Sequence, residues 1–538
     1  MPTRSDSDRY GSASHHNLLG VPVHRAVFLT SAIAILTLVA FGIAMPDRLQ
    51  VGAEAVQHAI SDNLGWFYLL AMNAFLILAV YLIFSRYGSV RLGGESEQPE
   101  FSYWGWFSML FAAGTGVGLL FYGVAEPLTF FADPPFGEAE TEQAARDALV
   151  HSYFHWGLHG WSMYGLVGLA LCYFCYNRGL PLTIRSAFTP LLGSKRVKGP
   201  IGNGIDAMAA AGTLIGVAVS LGLGVRQINT GLQHAYGVPD NLGVQIGLIA
   251  GITSVALISV LSGLAKGIQR LSKLALLFGA AMVLYVILLG PAQFIFNAML
   301  ESLGSYVNQI PSRGTYTEAF NPPDAESWQN DWTLFYFAWW ISWSPFVGLF
   351  IARVSRGRTL REYLLGVLLV PTLASVVWLT VMGGSSLYRE LYEGSGLVNI
   401  VEDEPELVFF LFLDGFQVPE WLALTSMTLM IATVAIFFVT SSDSGSLIID
   451  IITSGGDPHP PKATRVFWAL LEGVVAAILL TAGGLEALQA VATISGLPFA
   501  VILLLMCAGL YLGLRRYEHP GNVQASKRGG RGMWPPRT

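Results

Sequence analysis

The chain has 538 residues, of which 53% are hydrophobic and only 12% charged, and its mean hydropathy is +0.53. A soluble protein carries about a quarter charged residues, so the composition excludes a soluble domain with one anchor and points to a polytopic membrane protein. The net charge of −6 decides nothing alone, and three cysteines exclude a disulfide framework.

In chain order, a polar leader over 1–25 precedes AVFLTSAIAILTLVAFGIAM (26–45), which is too long for a typical signal-peptide core and reads as a first span. Apolar runs then predict twelve spans near 26–45, 65–85, 103–131, 150–176, 204–225, 241–263, 274–298, 332–352, 362–383, 419–440, 465–483 and 487–514. With the N-terminus inside, all of the 30 lysines and arginines but Arg48, Arg146, Arg226, Arg313 and Arg389 fall on the inner side. That segregation supports both the count and an orientation with both termini cytoplasmic. The outer loops are acidic, as in FGEAETEQAARD (136–147) and VEDEPE (401–406), and read as solvated faces.

Span 3 contains FAAGTGVGLLFYG (111–123), with Gly114, Gly116 and Gly118 in five positions. Glycine weakens a helix by about 1 kcal/mol relative to alanine. Two readings fit: a break that presents bare backbone to a ligand at the midplane, or close helix packing through small residues. Span 8, FYFAWWISWSPFVGLF (335–350), places Pro345 and Gly348 inside an apolar helix and is expected to be interrupted as well. Paired interruptions in two halves point to an inverted-repeat secondary transporter.

Span 4 reads FHWGLHGWSMY (154–164), and Trp156, Trp161 and Tyr164 fall within about a 140° arc at helical pitch. Span 8 adds Trp339, Trp340 and Trp343. Rings gathered beside breaks, with no carboxylate noted nearby, suit a quaternary ammonium held on π-faces; spacing alone leaves ordinary aromatic packing open. On the same span 4, His151, His155 and His159 form an i, i+4, i+8 stripe that reads as helix-to-helix hydrogen bonding, with proton carriage or zinc as alternatives. Cys172 and Cys175 read as small buried residues. Span 10 closes on FFVTSSDSGS (437–446), where the hydroxyls either serve a cation or bond back to their own helix, and Asp443 is expected to fix the span end. Glu472 lies within span 11, facing a neighbouring helix.

FSMLFAAGTGVGLLFYGVAEPLTF, FHWGLHGWSMY and AWWISWSPFVGLFIARVSRGR closely resemble the betaine/choline/carnitine transporter family, over spans 3 to 12. The resemblance implies an all-α polytopic membrane protein of twelve transmembrane helices: two peripheral N-terminal helices and a ten-helix core of two inverted five-helix repeats. Its layout is a cytoplasmic segment over 1–25, two peripheral helices over 26–102, a first repeat over 103–298, an extracellular or periplasmic loop over 299–331, a second repeat over 332–514 and a short basic tail over 515–538.

By motif, the resemblance assigns Trp156, Trp161, Tyr164 and Trp340 to the family's aromatic box, and Trp339 and Trp343 to the same pathway. Gly114, Gly116 and Gly118 become the substrate-contacting segment, whose amides suit a carboxylate. Thr440 and Ser441, with carbonyls of Ala112, Thr115 and Phe437, match the sodium site of sodium-coupled members. A second sodium site at Thr213 and Phe346 is doubtful, because Val217 stands where the family has a second threonine.

The implied function is secondary import of a zwitterionic quaternary ammonium compound such as glycine betaine, coupled to sodium, in a bacterial inner membrane. Gly118 stands where some choline carriers have aspartate, which favours a betaine. A proton-coupled choline carrier, a carnitine-type exchanger, and an organic-cation channel or ligand-sensing receptor are the alternatives. No enzyme activity, no cofactor other than sodium and no nucleic-acid partner are expected; homotrimeric assembly is an expectation of the resemblance.

Overall fold

A backbone in hydrocarbon must satisfy its own N–H and C=O groups, and a helix does so within one segment. The apolar runs accordingly fold as helices in this structure, a computed structural model that describes residues 16–18, 21–114, 116–262, 265–322 and 327–518. They are α1 (Arg25–Ala44), α2 (Pro46–Phe84), α3 (Tyr103–Gly114), α4 (Val117–Ala132), α5 (Glu142–Trp156), α6 (Leu158–Cys172), α7 (Pro200–Tyr236) and α8 (Leu242–Ser262). There follow α9 (Ala265–Leu289), α10 (Ala292–Gly314), α11 (Thr333–Val354), α12 (Leu360–Leu379), α13 (Ser385–Glu393), α14 (Glu420–Thr453) and α15 (Lys462–Tyr517). A hairpin of β1 (His16–Leu18) and β2 (Val21–Val23) supplies the only strands among the described residues. Among the described residues ten helical segments are long and apolar enough to cross a bilayer, or eleven if the bent pair α9–α10 is one span.

Burial orders these helices. In an apolar 18-residue stretch of segments 142–177 and 328–354, 94% of the residues are buried, against 33% in Arg25–Ala44 and 22% in Leu242–Leu261. The tryptophan-rich helices are therefore central, and α1 and α8 are peripheral.

Several expectations need correction. The interruption expected in span 8 is absent: α11 runs unbroken through Pro345. Proline leaves the carbonyl four residues back without its donor, and the Ser344 hydroxyl takes that role, donating to the Ile341 carbonyl at 2.7 Å. The second break lies in span 4, at Gly157 between α5 and α6 (φ −106°, ψ −140°). There the Leu158 N–H donates to the Tyr306 hydroxyl at 2.9 Å, and a Cβ on Gly157 would stand 3.0 Å from Cζ of the same ring. Much of the loop expected over 299–331 is α10, which meets its predecessor at a 113° bend. Span 10 does not close at Ser446: α14 continues to Thr453, so Asp443 is mid-helix and pairs with Arg465 at 2.8 Å instead of fixing an end. Spans 11 and 12 are two limbs of α15, divided at Gly483 and Gly484, where Gly484 adopts φ +60°, ψ −131°, a conformation only glycine takes without strain.

The acidic loops are not uniformly solvated. Glu406 is buried against Arg226 and Asp147 is paired with Arg313 at 2.7 Å. The three cysteines are free and buried, and Cys172 Sγ–H points to the Ala352 carbonyl at 3.3 Å.

Gly348, expected to break α11, instead lets it touch α6. A Cβ there would meet Val167 at 2.5 Å and the Gly168 amide at 3.1 Å, and one on Gly168 would meet the Gly348 carbonyl at 2.8 Å. This backbone crossing is the small-residue packing that serves membrane helices in place of a hydrophobic driving force. Gly348→Val is expected to overpack the crossing by about 1–3 kcal/mol. A thermal melt in detergent should show a midpoint several degrees below wild type.

Candidate functional site

The pause between α3 and α4 supplies the first wall of a central cavity. Gly116 is extended (φ −89°, ψ −177°) and caps α4. Its missing Cβ would point toward the cavity rings, with Trp343 nearest at 3.8 Å. Thr115 lies outside the described residues; Ala112 and Gly114 fall in the last turn of α3. Gly118 has a different reason to be glycine: a Cβ would collide with Trp339 and stand 2.9 Å from Trp156.

The cavity is lined by Gly116, Gly118, Trp156, Tyr164, Ser220, Trp339, Trp340, Trp343 and Val347. Trp156 is the last residue of α5, so the Gly157 break sets its direction. Its ring centroid lies 5.8 Å from that of Trp340 and 6.1 Å from that of Trp339, both edge-on. Tyr164 stands 4.8 Å from Trp340. Trp340 lies against bare backbone, since a Cβ on Gly160 would meet it at 2.5 Å. Trp161 does not line the cavity; it is fully buried behind Trp340 and Tyr164, at 5.7 and 5.6 Å. Ser220 of α7 and Val347 of α11 are wall residues the sequence reading missed. Phe346 stacks edge-on against Trp343 at 5.2 Å.

Among the described residues no charged side chain lines the cavity, but a carboxyl group stands directly behind it, contrary to the expectation of none nearby. Glu126 of α4 is fully buried. Its Oε2 accepts from the Trp156 indole N–H at 2.6 Å and the Tyr336 hydroxyl at 2.8 Å. Its Oε1 lies 2.8 Å from His155 Nδ1, and His155 Nε2 lies 3.0 Å from the Thr333 hydroxyl. Both carboxyl oxygens are thus partnered, and Oε2 holds the Trp156 indole by its N–H. A carboxylic acid followed by proline in VAEPLTF was the available signal, and it passed unread.

The histidine stripe is divided among separate partners: His151 takes Arg313, His155 takes Glu126, and His159 Nε2 lies 3.3 Å from Asn73 Oδ1. Of the sodium-site residues, Phe437, Thr440 and Ser441 share one turn of α14, and the Thr440 hydroxyl donates to the Phe437 carbonyl at 3.1 Å. At the doubtful second site, the Thr213 hydroxyl bonds the Ala209 carbonyl of its own helix at 2.7 Å. Val217 there presents methyls toward Gly445 in place of an oxygen.

Bundled apolar helices, two of them broken around a buried, uncharged aromatic cavity, define a multi-pass membrane transporter. Residues 26–519 match the family described as BCCT, betaine/carnitine/choline family transporter, and the chain belongs to that family. It is similar to the glycine betaine transporter OpuD of Bacillus subtilis, 42% identical over 89% of this chain and 92% of that protein. It is also similar to the high-affinity choline transport protein of Escherichia coli K12, 41% identical over 92% of this chain and 72% of that protein. An uncharacterized transporter of Mycobacterium tuberculosis H37Rv, Rv0917, is 43% identical over 90% of this chain and 82% of its own length.

Trp340→Ala and Trp156→Ala are each expected to remove one desolvated cation–π wall, at about 2 kcal/mol or roughly thirtyfold in affinity for a quaternary ammonium. Equilibrium binding to the purified variants measures this, and unchanged binding would sink the cage. Gly116 has open space before it, so Gly116→Ala should transport, whereas Gly116→Leu should fill the cavity and abolish uptake while still inserting. Normal uptake by the leucine variant would place the substrate elsewhere.

Proposed function

We propose that the protein is a sodium-coupled importer of a zwitterionic quaternary ammonium compound of the glycine betaine type, working by alternating access. One observation carries the substrate class: a cavity walled by Trp156, Tyr164, Trp339, Trp340 and Trp343 with no charged residue in its lining. Such a cavity suits a weakly hydrated cation, whose charge rests on π-faces without an ion pair. Two observations favour a carboxylated substrate. The indole N–H groups of the wall residues Trp339 and Trp343 are buried without an acceptor among the described residues, and buried donors call for partners. Gly118 has no room for an aspartate beside Trp339 and Trp156. The relative named for glycine betaine points the same way, while the one named for choline makes choline the competing substrate.

The broken pair α3–α4 counts as one span, as does α9 with its bend, which brings the apolar segments to twelve. Under this reading α3 through α9 and α11 through α15 form the two inverted repeats, α1 and α2 lie outside them, and both termini are cytoplasmic. The coupling ion is assigned to Thr440, Ser441 and the Phe437 carbonyl together with backbone at 112–115, hard oxygens of the kind a small cation takes.

Counterflow in proteoliposomes against glycine betaine, carnitine and choline, with and without sodium, tests the substrate. Exchange of choline in preference to betaines, or currents far exceeding saturable turnover, would replace this reading with a choline carrier or a channel. For the ion, uptake against sodium at fixed membrane potential is expected to give a Hill coefficient nearer one than two, because Val217 removes an oxygen from any second site. Thr440→Ala should raise the sodium needed for half-maximal uptake several-fold. Full uptake without sodium rules the coupling out.

A further inference from the structure

Glu472 is used by none of the chemistry above. It lies at the middle of the apolar limb Lys462–Gly484, about 15 Å of helix from either end, and is fully buried. Its Oε2 accepts from the Ser442 hydroxyl of α14 at 3.0 Å. Among the described residues its Oε1 has no hydrogen-bond partner, and it lies beside the notch left by Gly445, where a Cβ would stand 3.2 Å from it. An isolated carboxylate oxygen at this depth is costly enough that it takes a proton or a cation.

The surroundings choose between these. Across the notch, Val217 of α7 is 2.9 Å from where that Cβ would be, and a Cβ on the adjoining Gly473 would meet Thr253 and Ile249 of α8. Beyond Ser442, whose hydroxyl already faces Oε2, the nearest groups across the notch from Oε1 are the methyls of Val217. A small metal cation needs about six oxygens; a proton needs one.

The charged groups that act on Glu472 are Asp443 of α14 and Arg465 of its own helix. These two are paired at 2.8 Å, and Arg465 also donates to the Asp443 carbonyl, so the guanidinium is committed. Asp450 lies farther along α14. α7 carries Asp206, held by Arg185, and toward its other end Arg226, held by Glu406, then His234, set 3.6 Å from Asp414. α8 has no ionisable residue, and α1 has none beyond Arg25.

We propose that Glu472 is a proton-binding site, taking one proton from water on one side of the membrane and giving it to water on the other during each transport cycle. The O–H bond at Oε1 forms on loading and breaks on release, with Ser442 keeping Oε2 in place. α14 carries both Ser442 and the turn assigned to sodium, so displacement of α14 against α15 exposes or seals the carboxyl. The proposal rests only on the transporter class, not on the identity of the substrate or on sodium.

The test uses proteoliposomes with equal sodium on both sides and the potential clamped at zero, reading uptake of whichever of glycine betaine and choline the counterflow assay shows to be carried. An inward proton gradient is expected to speed wild-type initial uptake several-fold, and Glu472→Gln to lose that response. Wild-type uptake indifferent to the gradient, or a Gln variant that keeps the response, overturns the proposal whatever sodium does. Should Glu472→Gln not insert, the wild-type chain gives a second measurement. A hydrophobic carbodiimide, which attacks protonated carboxyls in apolar surroundings, is expected to label Glu472 in a peptide mass map, less as pH rises. Absence of the adduct, or labelling independent of pH, equally overturns it.

Discussion

The site exists because of a constraint on the backbone: every N–H and C=O freed at membrane depth must find a partner. The structure meets it in three ways. At Gly157 the freed amide is taken by the Tyr306 hydroxyl, at Pro345 the freed carbonyl is taken by the Ser344 hydroxyl, and at Gly116 the extended backbone lies at the wall of the cavity. The first two are closed by side chains and serve shape. The third opens on the cavity, so the chain's glycine cluster and its cavity meet at Gly116.

Around that opening, charge is kept close but out of reach. A carboxylate in the cavity would hold a cation as an ion pair and make release slow. Glu126 instead sits behind Trp156, its oxygens occupied by an indole, a phenol and an imidazole. A carrier that must both bind and let go gains from that indirection, because a π-face attracts a quaternary ammonium without competing for hydrogen bonds it does not make.

Composition and periodicity made the helices legible, and the clustering of tryptophans in spans 4 and 8 marked the rings that line the cavity, Trp156, Tyr164, Trp339, Trp340 and Trp343. The breaks were harder to read. Proline in FYFAWWISWSPFVGLF looked like an interruption, but a neighbouring serine mends it, and that repair depends on a rotamer that spacing does not reveal. Conversely, the single Gly157 between two histidine-bearing turns gave a weak signal; the break shows once a hydroxyl from residue 306 is seen to stabilise it. Trp161 illustrates a limit of helical-wheel reasoning. It shares an arc with Trp156 on an unbroken helix, but the kink between them turns it into the second layer of wall. Glu126 was hidden because its partners come from α5 and α11, far away in sequence.

The bent helix α10 has a mechanical consequence. Tyr306 grips the first amide of α6, and Arg313, seven residues on, grips Asp147 of α5, so one rod is pinned to both sides of the Gly157 joint. Trp156 is the residue immediately before that joint. A torque on α10 is therefore delivered to an aromatic wall through two side chains and no intervening loop. A molecule that clamped α10 could lock the carrier without entering its cavity, much as a door is held by its handle and not by its latch.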